Sequence, residues 1–312
     1  MFNIYGTFID NAIRTFEGRR IHITEVPFVV LVIPHDHSCC TGFIVAIDWV
    51  LTVAHCFGSE TFNGSVEIRI GTHDQLDKAI KINSSSVIIH PNFFKFGKEY
   101  DIALIHLKHK IQMTEVAQII QLEDKKWPEG ELRRHCFSIG YGYHINLERI
   151  GVLHGGQVTA GFGQYPYECK SAQRNTKSER FVWSNSNESV HICYGDSGGP
   201  LVCDRVAVGV SVISFNCGEG PSDIHCGGEF VDAFLYLYEH LNWLQSYVSC
   251  LPSSCIENKN PQVFARRTQR CYVLDWMDTF IDWIPSIIAR IPNCKSTQIN
   301  RKGGLAGKEK GF

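Results

Sequence analysis

Gly195-Asp196-Ser197-Gly198-Gly199-Pro200 decides how this chain is read. A serine flanked by Gly-Asp and by Gly-Gly-Pro sits on a tight turn poor in Cβ atoms, with its hydroxyl exposed. Glycine lets a substrate carbonyl come close, and the N–H groups of Gly195 and Ser197 are placed to hold the oxyanion of an acyl-transfer intermediate. Alone, the hexapeptide reads equally as a Gly-rich turn with a solvent-facing serine, so the reading depends on partners elsewhere in the chain.

A serine hydroxyl is a weak nucleophile that needs a base, and the base needs an orienting carboxylate. Upstream, the apolar run Leu51-Thr52-Val53-Ala54-His55-Cys56 ends on a histidine. Between the two, Tyr100-Asp101-Ile102-Ala103-Leu104-Ile105 places an aspartate at the head of a run of buried character. From about Thr15 to Val248 the chain resembles the chymotrypsin-like serine peptidases, which carry these three motifs in the order His, Asp, Ser. The resemblance implies that His55 is the general base, that Asp101 fixes and stabilises its imidazolium, that Ser197 is the nucleophile, and that the N–H groups of Gly195 and Ser197 form the oxyanion hole. Losing one member of such a unit costs on the order of 10⁴-fold in rate. A lipase or esterase reading lacks the Gly-x-Ser-x-Gly elbow and the Ser-Asp-His order.

Short β-rich runs fill the body: Val26–Ile33, Phe43–Ile47, Val66–Ile70, Val87–His90, Ile102–Leu107, Phe137–Gly140, Val152–Val158, Pro200–Cys203 and Val206–Phe215. Turn residues separate them and no strand–helix alternation appears, which predicts an all-β sandwich or barrel. The resemblance narrows this to two antiparallel six-stranded β-barrels with the active site in the cleft between them. On that basis residues 1–14 are a propeptide remnant or lead and 15–249 the peptidase domain. Its first barrel spans about 27–120, its second about 132–235, and its C-terminal helix about 239–248. Residues 250–312 form an extension with four cysteines, an amphipathic segment over 272–291 and a disordered basic tail. Asp275, Asp278 and Asp282 exclude a transmembrane span there, and Pro285 would kink a helix.

A net charge of −2 over 312 residues argues against a nucleic-acid or anionic-membrane partner. Thirteen cysteines point to an oxidising compartment. Asn63, Asn83 and Asn187 each open an N-x-Ser acceptor sequence, consistent with a secreted glycoprotein. Met1 to Arg14 has no apolar run of signal-peptide length, so the expectation is secretion from a chain whose N-terminus is incomplete.

The resemblance also implies three disulfides: Cys40–Cys56, Cys136–Cys203 and Cys193–Cys217, with Cys226 an alternative to Cys217. Cys169 matches a family cysteine whose usual partner is missing. Zymogen activation in the family frees an α-amino group that pairs with the aspartate before the serine, here Asp196. The new terminus would be Thr15, after Arg14, or else Ile21, after Arg20. In the specificity pocket the resemblance places His191 on the floor, where enzymes that cut after Lys or Arg carry aspartate. Ile192 would narrow the pocket, Tyr194 sit at its rim, Gly228 leave one wall open, and Ser214 or Asn216 form the other. A histidine floor favours acidic or polar side chains and disfavours trypsin-like cleavage. His35-Asp36-His37 supplies no full metal-ligand set, and no cofactor or metal is expected.

The expectation is therefore a secreted serine endopeptidase acting through an acyl-enzyme on Ser197, made as a zymogen and not trypsin-like. Its expected partners are a polypeptide substrate, an activating protease and protein inhibitors. The alternative is a catalytically silent homologue that acts as a binding or regulatory protein.

Overall fold

The computed structural model describes residues 18–34, 39–58, 62–130, 133–143, 150–163, 169, 178–184, 190–217, 230–249 and 251. The chain divides into two units, Met1–Lys259 and Asn260–Phe312. The second, with the amphipathic segment and basic tail, lies outside the described residues, as do Arg14 and Thr15.

Thirteen strands build the first unit among the described residues: β1 Arg19–Arg20, β2 Val29–Ile33, β3 Cys40–Ala46, β4 Trp49–Thr52, β5 Glu67–Ile70, β6 Ile80–Ile89, β7 Ala103–Leu107, β8 Arg134–Gly140, β9 His154–Phe162, β10 Phe181–Ser184, β11 Pro200–Cys203, β12 Val206–Asn216 and β13 Phe230–Tyr236. Two helices accompany them, α1 Phe93–Phe96 and α2 Leu241–Tyr247.

Strands β2-β3-β4-β7-β6-β5 close into the first barrel through antiparallel pairs. Phe43, Ile44, Leu51, Ile68, Ile70, Ile102 and Leu104, on its strands or next to them, are all fully buried. The alternating run Glu67-Ile68-Arg69-Ile70 shows how closure works: both isoleucines point inward while the charges stay out. Strands β9-β10-β13-β12-β11-β8 close the second barrel through the β8–β9 pairing, and β1 adds to its β9 edge. The two-barrel expectation holds. Strands β10 and β13 were absent from the sequence reading, because short aromatic-rich runs between turns carry little alternation.

A break in the β12–β13 register between Ser211 and Ile213 bends β12 where it approaches the serine loop. The C-terminal helix begins later than Glu239: Leu237–His240 form a 3₁₀ turn that leads into α2.

Candidate active site

His55 opens a one-turn 3₁₀ helix, His55–Phe57, directly after β4. Asp101 stands just before β7, which pairs with β4 in a register that opposes Thr52 to Ala103. That pairing brings the two side chains together. The His55 ring Nδ1 lies 2.6 Å from Asp101 Oδ2, and the His55 backbone N–H donates to Oδ1 at 2.9 Å. Asp101 is 2 % exposed, so its carboxylate is held by these bonds rather than by water. A carboxyl oxygen only accepts when ionised, so Nδ1 carries the proton and Nε2 is left to act as base.

Ser197 reaches the same place from the second barrel. Its carbonyl accepts the Thr41 N–H at 2.9 Å. Gly198 donates to the Ser211 carbonyl and Ser211 donates back to Gly199, each at 2.8 Å, which ties the serine loop to β12. Gly198 has φ +88°, and a Cβ there would strike the Thr41 carbonyl and the Thr52 side chain. The motif glycine is thus a requirement of the close approach of the two barrels. Among the described residues no hydrogen bond joins the Ser197 hydroxyl to His55, and in a substrate-free site such contacts often tighten only when substrate binds. Nor, among those residues, does any acceptor take up the N–H of Gly195 or Ser197, which remain available as donors.

Thr41 is a site residue that the sequence did not single out. Its hydroxyl donates to the Gly195 carbonyl at 2.8 Å and accepts the Tyr141 N–H at 2.9 Å, while its own carbonyl accepts the Thr52 hydroxyl at 2.7 Å. A fully buried threonine in an otherwise apolar strand is the signal that was there to be used.

Cys40–Cys56 and Cys136–Cys203 form as expected, the first bracketing the histidine turn. The pairing Cys193–Cys217 does not form. Cys217, at the end of β12, bonds to Cys169 instead, with Cα atoms 4.7 Å apart. Cys193 is disulfide-bonded to a cysteine outside the described residues. Cys169 therefore does have a partner. Reading along the chain missed it because the partner lies beyond the serine loop rather than between Cys169 and Cys193.

The candidate pocket residues separate. His191 faces inward, its Nδ1 3.3 Å from Asp232 Oδ2. Ile192, next along an extended stretch, points the other way into the second-barrel core with Val158, Val182 and Leu201, so it does not narrow a pocket. Tyr194 is 70 % exposed. Of the two wall candidates, which share one face of β12, Ser214 stands opposite Asp232 in the β12–β13 register and donates its hydroxyl to Asp232 Oδ1 at 2.6 Å. Asn216 stands opposite Phe230. Gly228 lies outside the described residues, as does His35-Asp36-His37.

Asp232 was not foreseen. It is 1 % exposed, and the Ser184 hydroxyl also donates to its Oδ2, at 3.3 Å. An aspartate in the middle of the apolar run Phe230–Tyr236 was its sequence signal.

Lys98 extends over the Phe215 ring at 5.1 Å. Burial lowers the pKa of its ammonium and the Asp101 charge opposes that shift. Asp196 is fully enclosed, accepting the N–H groups of Gly142 at 2.7 Å and Cys193 at 2.9 Å. Burial raises its pKa, against the pull of His154 and these two donors.

The family model Trypsin matches residues 15–225. The chain is 26 % identical to vitamin K-dependent protein C of Oryctolagus cuniculus over 75 % of its own length, and it spans 52 % of that relative. It is 28 % identical to cathepsin G of Mus musculus over 68 % of its length and 81 % of the relative's. It is 29 % identical to trypsin 5G1 of Aedes aegypti over 66 % of its length and 77 % of the relative's. In fold it is similar to neuropsin, a serine protease expressed in the limbic system of mouse brain. That match has a TM-score of 0.60 at 24 % identity and covers 74 % of this chain and 98 % of the other.

Proposed function

Given that this chain belongs to the trypsin family of serine peptidases, we propose that it is a secreted endopeptidase working through an acyl-enzyme on Ser197, with residues 15–249 as the peptidase domain. His55 Nε2 takes the hydroxyl proton as Ser197 attacks the scissile carbonyl, and returns it to the leaving amine. Asp101 holds the ring in the tautomer this needs and stabilises the imidazolium. The N–H groups of Gly195 and Ser197 receive the oxyanion. The observation that carries this reading is the short Nδ1–Asp101 contact on a buried carboxylate, with the serine loop bonded to β3 through Thr41.

Three disulfides among the described residues support an oxidising compartment. Asn63 and Asn83 are exposed, as glycan acceptors must be. No helix among the described residues is long and apolar enough to cross a membrane. The proposed substrate is a polypeptide whose side chain at the cut is polar. Lys and Arg are disfavoured because the Asp232 carboxylate is already occupied by Ser214, Ser184 and His191. Turnover of a peptide library by the protein and by Ser197→Ala tests the reading. Cleavage by the parent alone supports it, and equal silence of both would leave a binding protein on a peptidase fold.

A further inference from the structure

The carboxylate of Asp196 faces a buried histidine in the uncut chain. His154 Nε2 lies 3.8 Å from Asp196 Oδ2, and both side chains are less than a tenth exposed. His154 Nδ1 donates to the Val152 carbonyl at 2.8 Å. That bond fixes a proton on Nδ1, so Nε2 donates to Asp196 only when the ring carries a second proton. Position follows from the sheet: on β9, His154 stands opposite Gly140 of β8 and Arg20 of β1. A Cβ at Gly140 or Gly142 would run into the Asp196 carboxylate, so the cage is shaped around that group. A buried carboxylate is costly unless a charge and hydrogen bonds meet it.

In the uncut chain, neither proposed new terminus offers an ammonium. Thr15 is in peptide linkage to Arg14, and the Ile21 amide donates to the Leu153 carbonyl at 3.1 Å as an ordinary peptide N–H. We propose that His154 is a positioning residue of this peptidase: its imidazolium supplies Asp196 with a counter-charge and holds the Gly195–Ser197 loop ready to bind an oxyanion before any cleavage at Arg14 or Arg20. The inference rests on the reading of Ser197 as nucleophile. It replaces strict zymogen behaviour with competence that depends on the counter-charge of one side chain.

Among the described residues, the charged and titratable groups on the elements packed against His154 are Arg19 and Arg20 of β1, Arg134 and His135 of β8, His73 and Asp74 on the segment joined to Val152 and Leu153, and Asp196 itself. Asp232 acts on Asp196 from further off and in the opposite sense to His154.

The test uses the full chain with Arg14→Gln and Arg20→Gln, shown intact by mass spectrometry, with peptide turnover and fluorophosphonate labelling followed from about pH 6 to about pH 9. The uncut parent is expected to label at Ser197. His154→Gln should lower turnover by about 10²-fold or more. His154→Lys should restore it, because an ammonium supplies the counter-charge and keeps it to about pH 10. Rescue by lysine separates charge from packing. Three results overturn the proposal: a glutamine variant as active as the parent, a lysine variant as inactive as the glutamine one, or an uncut parent that is inert while trypsin-cut wild type labels. A cut wild-type chain that fails to label overturns the Ser197 reading instead.

Discussion

The Ser214 hydroxyl and the Asp232 carboxylate meet at 2.6 Å across the β12–β13 ladder, and His191 faces the second carboxylate oxygen at 3.3 Å. The contact joins two proposed pocket positions to a buried charge. A site whose polar groups already satisfy one another rewards a substrate that hydrogen-bonds to the set and rejects one that brings an unmatched charge. Substrate profiling should give a kcat/KM for Lys or Arg at the cut at least about 10-fold below that for the best uncharged polar side chain.

Asp232→Ala removes the acceptor shared by Ser184, Ser214 and His191. Leaving these groups buried without it should cost about 3 kcal/mol or more, measured by urea unfolding. Fluorophosphonate labelling of the folded fraction should persist, because Asp232 is not among the residues that contact Ser197 or His55.

Cys169–Cys217 closes a segment with a sequence separation of 48. In the chain-entropy account its loss, in Cys169→Ala with Cys217→Ala, should destabilise the fold by about 4 kcal/mol. Peptide mapping under non-reducing conditions should recover Cys169 linked to Cys217 and should not find Cys217 linked to Cys193.

The contrast between those cysteines and the triad shows what the sequence carried. His55, Asp101 and Ser197 are each embedded in a local signature, so the contact between His55 and Asp101 was legible before any coordinates. Cys217 finds its partner across a sequence separation of 48, and Asp232 meets Ser214 only through the register of β12 with β13, where a shift of two residues changes the partner without changing any local pattern. Ile192 was assigned to the pocket by adjacency to His191, whereas alternation along an extended chain sends neighbours to opposite sides. His154 was invisible for a related reason, since its role is set by the strand that carries it past Asp196. Thr41 was passed over because buried hydroxyls in β-runs have no motif.

His90 and His240 pack edge to face, with ring centroids 5.6 Å apart, beside Tyr100 and Trp243. Burial, together with the Arg180 charge, lowers the His90 pKa to about 4. Burial, then the His90 and Arg180 charges, lower that of His240 to about 3. Both rings are neutral when folded, whereas the unfolded chain takes up protons near pH 6.5. The unfolded state therefore binds more protons below that pH, and stability falls as pH drops from about 6.5 toward 4. Thermal melts should show Tm decreasing across that window, by about 2–4 °C for each kcal/mol lost. His240→Phe should flatten the dependence.

Asp101→Asn preserves the shape of the His55 contact and disturbs the tautomer it enforces. It should lower kcat by on the order of 10⁴-fold with little change in KM, and His55→Ala should do at least as much. Unchanged thermal midpoints in both would locate the loss in chemistry rather than folding.

The central claim is that Ser197 is an activated nucleophile. Its most direct test is reaction of the native protein with a fluorophosphonate, followed by peptide mass spectrometry, beside Ser197→Ala and Asp101→Asn. A single adduct on Ser197, absent from the alanine variant and strongly slowed in Asp101→Asn, is the predicted result. Absence of any adduct on Ser197 in folded protein, both before and after cleavage at Arg14, would contradict it.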